Sequence, residues 1–267
     1  MGAGLWLVAI HFRAAPDEEA VRALVALAAG PAAANGLRFE RLAAKDWLSE
    51  SLAGLRPVQA GRFTVHGAHD RHRVPVNGIG IEIEAALAFG TGHHGTTRGC
   101  LLALDRICKS PGKGRCRWIL DLGTGSGVLA IAAARALRRR VLATDIDAAA
   151  VRVAHANVRI NGVGTMIEVV KADGVAARSL RRHAPFDLVF ANILLRPLQR
   201  IAAPLRKLTA PGARIVLSGL LPAQANAAIA AYRGFALERR LEIEGWTTLV
   251  LARRAQSAGV AGRRPTQ

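Results

Sequence analysis

Asp121-Leu-Gly-Thr-Gly-Ser-Gly127 stands between an apolar run, Trp118 to Leu122, and an apolar helical stretch, Val128 to Leu137. No other segment limits the possible folds so tightly. A strand that ends in glycines and passes straight into a helix makes a turn free of Cβ atoms, against which a ligand can lie. An acid closes the next apolar run, Arg140-Val-Leu-Ala-Thr-Asp145, twenty-two residues after Gly123. This is the layout of a nucleotide-type pocket at the carboxyl end of a parallel strand.

The alternation continues from Gly80 onward. Strands are predicted at Trp118–Leu122, Arg140–Asp145, Met166–Lys171, Phe186–Ala191 and Ala213–Ser218. Helices are predicted at Thr96–Ile107, Val128–Leu137, Ala148–Asn161, Leu198–Leu208 and Pro222–Ala231, with Asp147 as the N-cap of the third. Only Gly245 separates Ala236–Glu244 from Trp246–Arg253, which is hairpin spacing. Strands alternating with helices require a parallel sheet covered on both faces. The fold class is therefore α/β, doubly wound, with a C-terminal antiparallel hairpin.

Ahead of this lies a smaller α/β module, residues 1–45, too small to be stable alone. It reads as a strand over residues 5–13, a helix capped by Asp17 that stops at Gly30-Pro31, and a strand Leu37–Leu42. Residues 46–79 read as a connector: a helix from Asp46 to about Gln59, then strands Arg62–His66 and Arg73–Val76 around a polar loop. His66, His69 and His72 fall in it at intervals of three, but no cysteine or acid completes a zinc set, and no metal is expected. The main domain spans 80–254, and the Gly-, Arg- and Pro-rich tail 255–267 is expected to be disordered.

At 267 residues the chain accommodates one large and one small domain. No apolar run reaches the roughly 18 residues that span a bilayer, and Leu5–Ile10 is too short for a signal peptide. Three cysteines, Cys100, Cys108 and Cys116, form no disulfide framework and fit a reducing cytoplasm. The net charge of +18 favours contact with a polyanion such as ribosomal RNA. The arginines are spread, however, and aromatics total 4%, so that contact is expected to be non-specific.

The glycine spacing is G-x-G-x-G, whereas a dinucleotide pyrophosphate favours G-x-G-x-x-G. S-adenosylmethionine carries no phosphate, and its carboxylate and ammonium ends need backbone groups. Gly123 and Gly125 are candidates to lie against it, and Asp121 to hold its ammonium end. Asp145 is placed to accept both ribose hydroxyls. Asp173, after the third strand, is either an adenine contact or a loop acid. Asn192 ends the fourth strand; its carbonyl oxygen is a candidate to orient an amine awaiting methylation, or to anchor the methionine part. Phe89-Gly-Thr-Gly-His-His-Gly-Thr-Thr97 is a glycine-softened loop before a helix. Thr91, His94, Thr96 and Thr97 offer hydroxyls and an imidazole on a loop that could fold over the sulfonium side, Phe89 is a further cofactor-binding candidate, and His93 and His94 are either bases or loop residues.

LAFGTGHHGTT, ILDLGTGSGVLAIAAA, ATDIDAAAV, HANVRINGV and ANILLRPL, with the connector DWLSESLAGLRPVQAGRF, resemble the ribosomal protein L-eleven methyltransferases. The resemblance covers about Asp46 to Arg253. It implies a seven-stranded, Rossmann-like methyltransferase sheet, with Thr97, Gly123, Asp145 and Asn192 binding S-adenosylmethionine. It also implies trimethylation of lysine and terminal amines on the ribosomal protein of the large-subunit stalk base. Two features depart from the family pattern. Gly95 stands where proline is common, which is expected to loosen the loop. The amino-terminal module corresponds to about half of a ferredoxin-like substrate-recognition domain. The alternatives are a methyltransferase for another protein or small-molecule amine, and a basic RNA-binding protein with a residual cofactor fold. A dinucleotide dehydrogenase is disfavoured by the glycine spacing.

Overall fold

In the computed structural model, residues 8, 10, 12, 14–40, 57–83, 95–110 and 116–254 are described. The chain divides into two units, residues 1–47 and 48–267.

In the first unit, helix α1 (Glu18–Ala29) is capped as expected: an Asp17 oxygen accepts from the Glu19 and Ala20 amides at 3.0 and 3.1 Å. Gly30, at φ +89°, ends it, and Pro31 then opens a short helix α2 (Pro31–Asn35) instead of a loop. Proline suits a first helical position because its missing N–H has no partner there anyway. Residues 37–40 of the expected strand Leu37–Leu42 form no strand. The Arg22 guanidinium donates to Ala34 O and Leu37 O at 3.0 and 3.3 Å, so a side chain takes the carbonyl a ladder would need. The expected strand at 5–13 lies largely outside the described residues.

The second unit opens with a small sheet of β1 (Val58–Ala60), β2 (Phe63–His66) and β3 (Ile79–Glu82), with β1 antiparallel and β3 parallel to β2. Val58 and Gln59 therefore belong to a strand and not to a helix; residues 46–56 lie outside the described residues. The expected strand Arg73–Val76 is also absent. A 3-10 turn covers Ala68–Arg73, and Gly78 N bonds Pro75 O at 2.8 Å to close a second turn. Pro75 has no N–H to give a ladder, so pairing resumes only at Ile79. His66 is buried on β2, its Nδ1 2.8 Å from Gly67 O.

The large sheet contains β4 (Trp118–Leu122), β5 (Arg140–Asp145), β6 (Ile167–Lys171), β7 (Phe186–Asn192), β8 (Thr209–Leu220), β9 (Phe235–Ile243) and β10 (Trp246–Arg253). Their order is β6-β5-β4-β7-β8-β10-β9. The first five run parallel, and β10 lies antiparallel between β8 and β9. Helices α3 (Gly95–Lys109), α4 (Val128–Leu137) and α5 (Ala148–Ile160) bury one face of the sheet. Helices α6 (Arg178–His183), α7 (Leu195–Leu208) and α8 (Ala225–Ala231) bury the other. This is the doubly wound, seven-stranded architecture predicted, with the hairpin as its antiparallel edge. Helix α6 was not anticipated: it is short, arginine-rich, and buries only Leu180. Strand order reverses between β4 and β7, and in open sheets of this kind ligands bind at the carboxyl ends beside such a switch point.

Candidate active site

The glycine turn occupies one wall of that switch point. Gly123, Gly125 and Gly127 have φ of +71°, +55° and +84°, values that L side chains rarely adopt. A Cβ on Gly123 would sit 2.6 Å from Ile193 Cγ2, so only glycine lets the turn lie this close to the end of β7. Gly123 N and Thr124 N both donate to Thr144 O, at 2.8 and 2.9 Å, which ties the turn to β5. Asn157 on α5 donates to Ser126 O at 2.8 Å from the other side.

Asp121 is 1% exposed and works on the turn itself. Its Oδ2 accepts from Thr124 Oγ1 at 2.6 Å and from Ala130 N at 3.1 Å, joining strand, turn and helix α4. Burial pushes its pKa up to about 6; the two hydrogen bonds oppose that rise and the charge of Asp145 adds to it.

Asp145 is half-buried at the end of β5. Its Oδ2 accepts from Gly125 N at 2.9 Å and its Oδ1 from Asp147 N at 3.0 Å. A carboxylate has about four lone-pair sites. Each oxygen therefore keeps one, and the pair is held in place to accept two further donors. Asp147 caps α5 through Ala149 N at 2.8 Å, the role expected of it.

The opposite wall is neutral. Asn192 ends β7, and its Nδ2 donates to Thr96 Oγ1 at 3.2 Å and Thr97 Oγ1 at 3.4 Å. Both amide hydrogens are spent, and among the described residues no group donates to its Oδ1. Thr96 and Thr97 are 2% and 1% exposed at the start of α3. Ser218 Oγ, fully buried on β8, bonds Thr96 O at 3.1 Å and Thr248 Oγ1 at 2.8 Å. Four elements thus meet in one buried chain of small polar groups. Cys100 lies against it; burial pushes that thiol up to about 12, leaving it unreactive. All three cysteines are free.

Ser218 and Thr248 were missed from the sequence. The available signal for Ser218 was one polar residue directly after the apolar run Ile215–Leu217. Gly95 and Gly99 now have a reason. A Cβ on Gly95 would lie 2.7 Å from Ile243 O, and one on Gly99 would collide with Thr248 Oγ1. The two glycines, one helical turn apart, let α3 press against the hairpin. Asp173 is exposed beyond β6. Phe89, Thr91, His93 and His94 lie outside the described residues.

A protein-family model described as ribosomal protein L11 methyltransferase (PrmA) matches residues 6–254. The chain belongs to this family. Two proteins called ribosomal protein L11 methyltransferase, from Rhodopseudomonas palustris (strain BisB5) and Bradyrhizobium diazoefficiens, are each 57% identical to it over 250 residues. Each alignment covers 93% of this chain and 84% of the relative. The crystal structure of ribosomal protein L11 methylase from Lactobacillus delbrueckii subsp. bulgaricus superposes with a TM-score of 0.65 at 26% identity, over 75% of this chain and all of that one. A Pyrococcus furiosus methyltransferase, at 15% identity and a TM-score of 0.52, shares the fold. Within the L11 methyltransferase family, the described residues therefore supply a charged wall at the glycine turn and a neutral wall at Asn192.

Proposed function

We propose that this chain transfers methyl groups from S-adenosylmethionine to amino groups of ribosomal protein L11, on lysine side chains, the amino terminus, or both. The family match across residues 6–254 carries the reading. The donor set supports the cofactor. Asp145 has two directed lone pairs left for a ribose diol, while Gly123 and Gly125 offer backbone without side chains. Thr97 and Asn192 face them from α3 and β7, Asp121 acts through the turn it clamps, and Asp173, Phe89 and Thr91 complete the proposed contacts.

When bound, S-adenosylmethionine supplies a methyl carbon made electrophilic by its sulfonium. The protein's task is alignment of an amine with that carbon, an effect that can supply about 7–11 kcal/mol. A lysine of ordinary pKa near 10.4 is cationic at neutral pH and cannot attack. The neutral wall suits this need: it offers the amide oxygen of Asn192 as an acceptor without a carboxylate that would hold the ammonium form. Asn192 Oδ1 accepts an N–H of the amine and points its lone pair along the line of attack. Gly123, Asp145 and Thr97 would hold the cofactor as its methyl passes to the nitrogen, with the carbon–sulfur electrons staying on sulfur and the proton lost from nitrogen passing to water.

Residues 1–45 serve as a substrate-recognition module, 46–79 as a connector and 80–254 as the transfer domain. Among the described residues no helix is long and apolar enough to cross a membrane, and a cytoplasmic site of action follows from the substrate. The charge of +18 supports an additional, sequence-independent contact with ribosomal RNA near the stalk base. Incubation with methyl-labelled S-adenosylmethionine and purified L11, followed by mass spectrometry, tests the assignment. Label on L11 amines supports it; label on a different protein or on a small amine, with L11 untouched, overturns the substrate.

A further inference from the structure

At the other end of the sheet, the starts of β4, β5 and β6 and the last turns of α5 enclose an open groove of about 1100 Å³. Its lining includes Trp118, Arg140, His155, Arg159, Thr165 and Glu168. The five and six residues of β4 and β5 put roughly 15–20 Å of sheet between this groove and the glycine turn.

Seven cations elsewhere in the unit meet carboxylates: Arg71 with Glu82, Arg73 with Asp70, Arg62 and Lys109 with Asp105, Arg98 with Glu244, Arg214 with Glu238, Arg240 with Glu242. Arg140, Arg152 and Arg159 have no carboxylate in ion-pair range among the described residues, and all three are exposed. The same holds for Arg138 at the entry to β5 and for Arg181 and Arg182 on α6. Glu168 is the one acid in the lining, and it pairs with His183 at 2.9 Å.

The arrangement is ordered as well as basic. Arg152, His155 and Arg159 fall on one stripe of α5, spread over about 10 Å. Trp118 packs against the His183 ring, at 4.2 Å, and the Arg140 guanidinium, at 5.8 Å. That stack steadies Arg140 while leaving its donor fork without a protein anion. A fork of N–H donors that meets no carboxylate is matched by phosphate oxygens. Trp118 is half-buried and already packed against both His183 and Arg140, so the groove offers phosphate contacts and not a base-stacking platform.

We infer that this groove binds single-stranded RNA through its phosphates, without sequence preference and away from the transfer site. The inference deepens the RNA contact proposed above by assigning it a surface. Bound there, RNA leaves the crevice between β4 and β7 open.

Fluorescence anisotropy of the full chain with a labelled oligouridine of about 12 nucleotides, from about 50 to about 200 mM salt, tests it. The wild type is expected to bind more weakly as salt rises. The triple variant R140Q/R152Q/R159Q is expected to flatten the slope of log affinity against log salt by about 2, since each phosphate contact on a single strand contributes about 0.7. The variant R196Q/R200Q, on exposed arginines of α7, is expected to keep the wild-type slope. Methyl transfer by the triple variant at wild-type rate reports that it is folded. Absence of wild-type RNA binding, with or without binding to anionic vesicles, overturns the RNA contact itself. An unchanged slope in the triple variant, or an equal loss in R196Q/R200Q, overturns the groove alone. RNA binding retained by Asp145→Ala separates either failure from that of the methyl-transfer reading.

Discussion

The two walls of the crevice use different chemistry. At the glycine turn the working groups are carboxylates and backbone amides, and they are near one another in the chain: Asp121, Gly125 and Asp145 belong to consecutive elements. At the end of β7 they are hydroxyls and one side-chain amide, and they come from α3, β7, β8 and β10. The difference matches the two tasks. A bound sulfonium nucleoside has hydroxyls and a cation to hold, which fixed negative charge does well. An attacking amine has to be neutral, and a carboxylate beside it would raise its pKa and keep it protonated.

The largest expected effect tests the charged wall. Asp145→Ala removes the proposed acceptor of two hydrogen bonds to ligand, each worth roughly 1.5–3 kcal/mol if charge-assisted. Calorimetry should show affinity for S-adenosylmethionine falling by about 100-fold or more; unchanged affinity would break the comparison at its stronger side. Asn192→Ala tests the neutral wall. The loss should appear mainly in kcat, by roughly 100-fold, because misaligned reactants cost about that much. A loss confined to cofactor affinity would reduce Asn192 to one more cofactor contact.

A smaller effect concerns the seam beneath that wall. Gly99→Ala drives a methyl into Thr248 Oγ1 and should cost about 1–3 kcal/mol. In a domain of this size that is a fall in Tm of about 2–4 °C per kcal/mol, readable by thermal denaturation. An unaltered Tm would mean that α3 is not pressed against β10.

The last effect is a pH dependence confined to Asp121. Its folded pKa, about 6, lies above its ordinary value of 3.8, so the folded chain holds this proton more tightly than the unfolded one. Stability from this group is therefore lost as pH rises from about 4 to about 6, and is level above that. Asp121→Asn should remove that slope and raise the Tm at neutral pH. Parallel wild-type and variant curves of Tm against pH would refute the assignment.

Legibility followed the range of the interactions. The turn Gly123–Gly127 and the caps Asp17 and Asp147 were readable because each satisfies needs within a few residues of itself. Asp145 was readable by its spacing from the turn and its position at a strand end. Residues 73–76 and 37–40 were misread as strands from composition alone. Pro75 denies a ladder its donor, and the distant Arg22 takes the Leu37 carbonyl. Helix α6 escaped notice because six residues with a single buried leucine carry no periodicity. Ser218 and Thr248 look like ordinary strand residues until β8 and β10 are seen to be neighbours under α3. The expectation that Gly95 loosens its loop missed that the hairpin leaves no room there for a Cβ.

The amino-acid sequence alone specified the alternation of strands and helices, the glycine bend, and the acid across from it. These follow from steric limits on φ and from hydrogen bonds between near neighbours, which act wherever the residues occur. Only the folded chain decided that β7 lies beside β4, and so brought Ile193 against Gly123 and the Asn192 amide onto Thr96 and Thr97. Strand order is chosen by burial of both sheet faces at once, and that requirement leaves no mark on any single stretch of the chain.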